Sequence, residues 1–227
     1  MIENKGIGGL ARKFIIYIIV LLLGLMCLLP LLNILAISFS GSAAVAANKV
    51  VFFPVDFTTA AYDKILEDNQ FWRSFRISVA RVAIAVVLNV VLVVLMAYPL
   101  SKSKREFKGR NIYMNLLIFA MLFNGGMIPS YLIVKELGLL NTIWALILPG
   151  AVPIFSVIMV MNFFNGIPRA LEEAAIIDGA TPLQVLIKVY IPCSKPVIAT
   201  IALFSIVGSW NDFFSGLIYM TKVENYP

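Results

Sequence analysis

Five long apolar runs, parted by short polar segments, decide what this chain can fold into. They cover roughly residues 14–39, 77–100, 112–134, 143–164 and 197–220. At about 1.5 Å per helical residue, each is long enough to cross a hydrocarbon layer of about 30 Å. Lipid offers no water to bond the backbone, so a crossing segment must satisfy its own N–H and C=O groups, which a helix does. A transmembrane barrel would show shorter segments that alternate polar and apolar residues. These runs are uniformly apolar, and 61% of all residues are hydrophobic against 13% charged. The expectation is an all-α, polytopic helical membrane protein with about five transmembrane helices, one membrane domain over residues 1–227.

Basic residues orient the spans. Lys5, Arg12 and Lys13 precede the first run. Lys102, Lys104, Arg105, Lys108 and Arg110 fill the loop after the second, and Arg169, Lys188 and Lys195 lie between the fourth and fifth. The opposite side holds Lys49, Lys64, Arg73, Arg76, Lys135 and Lys222, with Arg81 inside the second run. The richer side is assigned to the cytoplasm. Residues 1–13 are then a cytoplasmic amino terminus, 40–76 an extracytoplasmic loop and 165–196 a cytoplasmic loop. The net charge of +6 reflects this bias. The basic loop lacks interleaved aromatics and abuts lipid, which disfavours nucleic acid as a partner and suits membrane lipid. The first run is too long for a cleaved signal core and reads as a retained span. No histidine is present and only two cysteines, so no histidine-based catalysis, disulfide framework, metal site or cofactor is expected. No nucleophile–base set or paired carboxylates point to an enzyme.

In the outer loop, Pro54 and Thr58-Thr59 before AAYDKILEDNQFWRSF suggest a capped surface helix. Asp56, Asp63, Glu67 and Asp68 make it acidic. It reads either as a solvated linker or as a docking surface for an external protein.

The stretch EEAAIIDGATPLQVLIKVYIPCSKP, residues 172–196, is the most informative. Asn165-Gly166-Ile167-Pro168 breaks the fourth span, and Pro168 suits the first turn of a new helix. Glu172 and Glu173 lie near that helix's positive end, and Arg169 stands four residues before Glu173. Leu171, Ala174, Ala175 and Asp178 share a face. Gly179 is a left-handed stop; Thr181 caps and Pro182 opens a second helix. The apolar face expected of it is Leu183, Leu186, Ile187 and Tyr190. Pro192 is expected to end it, and Pro196 leads into the fifth span. The pair lies outside lipid, either on the headgroups or in the grip of a cytoplasmic partner.

Glu173-Ala174-Ala175, Asp178-Gly179-Ala180, Leu186, Val189, Ile191 and Pro192 resemble the EAA loop of binding-protein-dependent ABC importer permeases. The WND stretch resembles the carbohydrate branch, represented by the maltose permease subunits and the oligosaccharide or aldouronate group. This resemblance implies a permease subunit of the bacterial plasma (inner) membrane. It would move a sugar with ATP hydrolysed by a separate ATPase dimer, beside a second permease subunit and an extracytoplasmic solute-binding protein. Glu172, Glu173, Ala174, Ala175, Asp178, Gly179 and Pro192 would form the coupling helices seated in the ATPase. The chain carries no phosphate-binding loop of its own. Family members continue into a sixth span, which is not evident after residue 220. A truncated subunit that docks partners without transporting therefore stays open.

Polar residues within spans are functional suspects. Asp212 lies about 22 Å into the fifth run, beside Trp210 and Asn211. Asn124 lies about as deep in the third, followed by Gly125, Gly126 and Pro129, and the fourth carries Pro149, Gly150 and Pro153. Three spans that are polar or broken at a similar depth suggest one cavity in the outer half of the membrane. A Trp beside Asn and Asp suits a sugar path; as alternatives, Trp210 anchors at the interface and Asp212 marks the outer headgroups. Asn89 is expected to make an interhelical hydrogen bond rather than touch substrate.

Overall fold

The computed structural model describes residues 7–123 and 125–227, with the side chains of residues 7–12 outside that description. Every regular element among the described residues is helical, as lipid requires of an apolar backbone. The chain divides into two compact units, Met1–Phe71 and Trp72–Pro227.

The first unit holds α1 (Ile7–Ser38), α2 (Ser42–Ala46) and α3 (Ala60–Glu67). The apolar side chains of α1 from Phe14 to Leu32 are largely exposed, as suits a helix that meets acyl chains. Its outer end is tied to the loop that follows. The Asn33 amide donates to the Val51 carbonyl at 2.7 Å, and the Ser40 hydroxyl donates to Ala36 and accepts from the Val55 N–H. Ala36, Ala44 and Val50 make a small core beneath, and Phe39 stacks on Phe57. Thr58 takes the capping role at α3, its hydroxyl accepting from the Ala60 N–H at 3.2 Å. The surface helix is shorter than its sequence suggested: it stops at Asp68, whose carboxylate accepts from the Gln70 N–H and opens α4 (Asn69–Ser101). The end of the expected outer loop is thus the first turns of the next span.

In the second unit, α4 is the long member. Its buried side chains include Arg81, Ala85, Asn89, Val93 and Ala97, one every four residues. Small residues along that stripe let neighbours approach closely. Three of the expected spans are interrupted. The third is α5 (Arg110–Leu122) and α6 (Met127–Glu136). The fourth is α7 (Ile143–Ile147), a 3-10 turn over Leu148–Gly150, and α8 (Ile154–Asn165), with a 50° bend across Pro153. The inner pair is α9 (Arg169–Ile177) and α10 (Pro182–Val185), continued by a π-helical turn at Leu186–Tyr190 and α11 (Ile191–Cys193). An 84° bend then leads into α12 (Lys195–Asn211), and α13 (Phe213–Tyr219) follows a break at Asp212. The fifth span is therefore shorter than expected and ends in a capped break.

The principal core gathers Val93, Val94, Ala97 and Leu100 of α4, Val157, Val160, Met161 and Phe164 of α8, and Val185, Leu186, Tyr190, Val197 and Ile201. Asn89 donates to Ser205 of α12 at 3.2 Å, the interhelical bond expected of it. Among the described residues, two helices are long and apolar enough to cross a membrane alone, and up to five crossings result if each bent pair counts as one. The protein is a polytopic helical membrane protein.

Candidate functional site

The inner helix pair is shaped by its own residues. Gly179 sits at φ +81° and a Cβ there would meet nothing within 4 Å, so the backbone conformation alone selects glycine. Thr181 and Gln184 form a reciprocal capping box: the Gln184 N–H donates to the Thr181 hydroxyl, and the Thr181 N–H to the Gln184 side chain at 2.8 Å. Pro168 stands one position earlier than expected, as the cap before Arg169.

Two expectations about the pair are corrected. The buried residues of the second helix are Val185, Leu186 and Tyr190, while Leu183 and Ile187 are exposed. The π turn holds i→i+5 bonds and so shifts the face away from a 3.6-residue repeat. Pro192 does not end the helix, which runs on to Cys193. A π turn just before it accommodates a residue that lacks an N–H and crowds the preceding turn.

The adjacent acidic residues Glu172 and Glu173 part company. Glu172 is turned inward and forms an ion pair with Lys102, one residue past α4. Tyr190 donates to Glu172 Oε2 at 2.6 Å, and Lys102 donates to the Tyr190 hydroxyl at 3.0 Å. The Lys102 ammonium lies 4.3 Å from the ring centres of both Tyr98 and Tyr190, a cation–π cage. Phe164 packs edge-on against Tyr190. Glu173, Ala174, Asp178 and Gly179 stay exposed, together with Ile176, Ile177, Leu183 and Ile187, while Ala175 is half-buried against the core. Among the described residues no ion pair joins Arg169 to Glu173. In the neighbouring basic loop the Ser103 N–H donates to Glu106 at 2.8 Å and holds that carboxyl below its usual pKa.

At the outer break, Asp212 serves two elements. Its Oδ1 accepts from the Ser215 N–H at 3.1 Å and caps α13. Its other carboxylate oxygen pairs with Arg81, which also donates to the Asp212 carbonyl at 2.9 Å. Arg81 is buried to 3% exposure. Sequence reading noted Arg81 within its span but gave it no partner; the signal available was an arginine and an aspartate at matching depth. Trp210, Asn211 and Asp212 line a cavity of about 180 Å³ with Ser78, Arg81 and Ser209. Trp210 also packs edge-on against Phe75.

The prolines of the fourth span lie apart from this cavity. Pro149 lines a different pocket with Ser130 and Val134, and Pro153 a third with Asn89, Ser156 and Ser205. Asn124 lies outside the described residues. Near the outer end, sequence reading missed Asn141, at φ +62°. Its side-chain oxygen accepts from the Thr221 N–H at 2.7 Å and the Lys222 N–H at 3.1 Å, and its carbonyl accepts from the Asn225 amide at 3.0 Å. It fastens the α6–α7 loop to the segment after α13.

Residues 89–224 match the model of the binding-protein-dependent transport system inner membrane component family. The chain belongs to that family. This permease is 47% identical over 204 residues to Protein LplC of Bacillus subtilis (strain 168), covering 90% of the chain and 68% of the relative. It is 40% identical over 213 residues to the polygalacturonan/rhamnogalacturonan transport system permease protein YtcP of the same organism, covering 94% and 74%. Among solved structures it superposes with a TM-score of 0.92 at 33% identity on a chain of a bacterial ABC transporter involved in the import of the acidic polysaccharide alginate. That match spans 100% of this chain and 80% of the other. Its family is one of transport permeases.

Proposed function

We propose that this permease subunit moves acidic oligosaccharides across the bacterial plasma membrane, driven by a separate ATPase dimer that grips α9 and α10. The observation that carries this reading is the exposed apolar surface of Ile176, Ile177, Leu183 and Ile187 around the Gly179 bend, edged by Glu173 and Asp178. Small Ala174 and Ala175 allow close approach beside it. In this reading Glu173 meets a basic group of the ATPase, and Pro192 supports the joint with the membrane helices. The amino terminus is cytoplasmic, and a second permease subunit and an extracytoplasmic solute-binding protein complete the importer.

The substrate class is supported by what two of the similar proteins handle, polygalacturonan or rhamnogalacturonan and alginate. Trp210 and Asn211 face the sugar, one by stacking and the other by hydrogen bonding. Asp212 shapes the path through its hold on Arg81.

The test is reconstitution in liposomes with the partner subunits. Uronate oligomers should be taken up with ATP hydrolysis and neutral oligomers of equal length should not; preferential uptake of the neutral sugars would defeat the substrate class. Ile177→Asp should insert normally yet lose the ATPase on purification. Undiminished recovery of the ATPase would defeat the docking surface.

A further inference from the structure

Helix α4 is held by charge at two points, one just past its Ser101 end and one about a third of the way along from Asn69. Beyond its inner end, Lys102 binds Glu172 of α9 and the Tyr190 hydroxyl. Towards its outer end, Arg81 binds the side chain and carbonyl of Asp212 at the break before α13. The two joints are about 31 Å apart, 21 residues at about 1.5 Å each. Between them runs the buried stripe of Ala85, Asn89, Val93 and Ala97.

A buried ion pair is a weak source of stability, since apolar residues of similar size often hold a core as well; its best-attested use is to specify one arrangement. Here each pair specifies what rides on α4. The covalent route from α9 to the outer break is softer. It passes the left-handed Gly179, the π turn at Leu186–Tyr190 and the 84° bend before Lys195. Each of these is a place where backbone rotation absorbs movement. By contrast, α4 runs as one helix from Asn69 to Ser101, with a single proline, Pro99, in its last turn.

We propose that α4 is the strut that carries displacement of α9 to the break at Asn211–Asp212, with Lys102 and Tyr190 as its inner joint and Arg81 as its outer joint. These three are positioning residues for transport. The idea rests on α9 being the helix seated in the ATPase. When α9 is pushed, the caged Lys102 moves with Glu172 and draws α4 along. Arg81 then shifts Asp212, which reshapes the cavity beside Trp210 and reorients α13.

The experiment uses the whole importer in liposomes, with Cys27 and Cys193 replaced by serine and Phe214→Cys, exposed on α13, carrying an environment-sensitive fluorophore. An ATP-dependent signal that needs the binding protein, with uptake, establishes the parent reading; its absence would overturn that reading and this one together. Lys102→Met should still assemble with the ATPase but lose the probe response. Sugar imported per ATP should fall roughly 5- to 150-fold, the range of ordinary coupling between sites. Lys102→Arg, which keeps a cation over both rings, should retain most of both. Tyr190→Phe, which keeps the ring over the ammonium and removes the hydroxyl, should fall between. A wild-type probe response and stoichiometry in Lys102→Met would overturn the strut, as would a Lys102→Arg variant that assembles normally yet loses both.

Discussion

The inner helix pair and the outer break each lean on one ion pair to α4, but the two regions are built in different ways. At the inner pair, local chemistry makes the shape and the ion pair only places it. Gly179 turns the backbone, and Thr181 with Gln184 closes the new helix. Glu172 then docks the finished unit on Lys102, in a cage of two tyrosines where the paired side chains are 18% and 13% exposed. At the outer break the two tasks fall on one residue. Asp212 ends α12, caps α13 and neutralises Arg81. Shape and placement are separable at the helix pair and inseparable at the Asp212 break.

The largest effect should come from the outer break. Asp212→Leu removes the cap and strands the Arg81 charge, so stability should drop by about 3–5 kcal/mol, the usual cost of leaving one half of a buried pair. Thermal unfolding in lipid nanodiscs reads this. The double variant Arg81→Leu with Asp212→Leu should recover most of the loss and retain a cap deficit of about 1 kcal/mol. Recovery no better than Asp212→Leu alone would mean that the cap, not the ion pair, dominates.

Gly179→Val comes next. It forces a branched residue into the left-handed region at a cost of about 1–2 kcal/mol. Because nothing crowds the missing Cβ, Gly179→Asn should cost much less in the same melt. Equal losses would show that space, not backbone conformation, requires glycine there. The smallest effect is expected of Thr181→Ala, about 1 kcal/mol. Faster hydrogen exchange should be confined to the first turn of α10 and leave the Lys102 cage protected. Loss of protection at Tyr190 as well would show that the inner region is less modular than it looks.

Much of this was open to reading from residues alone, and the limits have particular causes. The turn at Gly179, the cap at Thr181 and the breaks between α5 and α6 and at Pro149 are local events, written in the types of a few adjacent residues, whereas the break at Asp212 inside the fifth run was not expected. The buried face of the second inner helix was misread because a π turn changes the repeat, and no residue type announces such a turn. Glu172 and Glu173 are chemically alike and adjacent; which one turns inward depends on Lys102, 70 residues earlier. Asn141 was missed for a similar reason, since an asparagine in a loop carries no sign of partners 80 residues away. Depth along a helix says nothing of which way a break faces, so residue order alone does not tell that Pro149 and Pro153 line pockets other than that of Asp212.

The residue order determined that this chain lives in lipid as helices, where those helices break, and that a glycine-bent acidic pair stands between the fourth and fifth apolar runs. These follow from hydrocarbon excluding bare backbone groups and from short-range sterics at Gly, Pro and capping residues. Only the tertiary structure decided that Arg81 and Asp212 share one charge pair, that Glu172 is an anchor while Glu173 stays free to meet a partner, and that one helix joins the two. Those pairings depend on distance in space, and in a low-dielectric interior a charge takes whichever opposite charge the packing brings within reach.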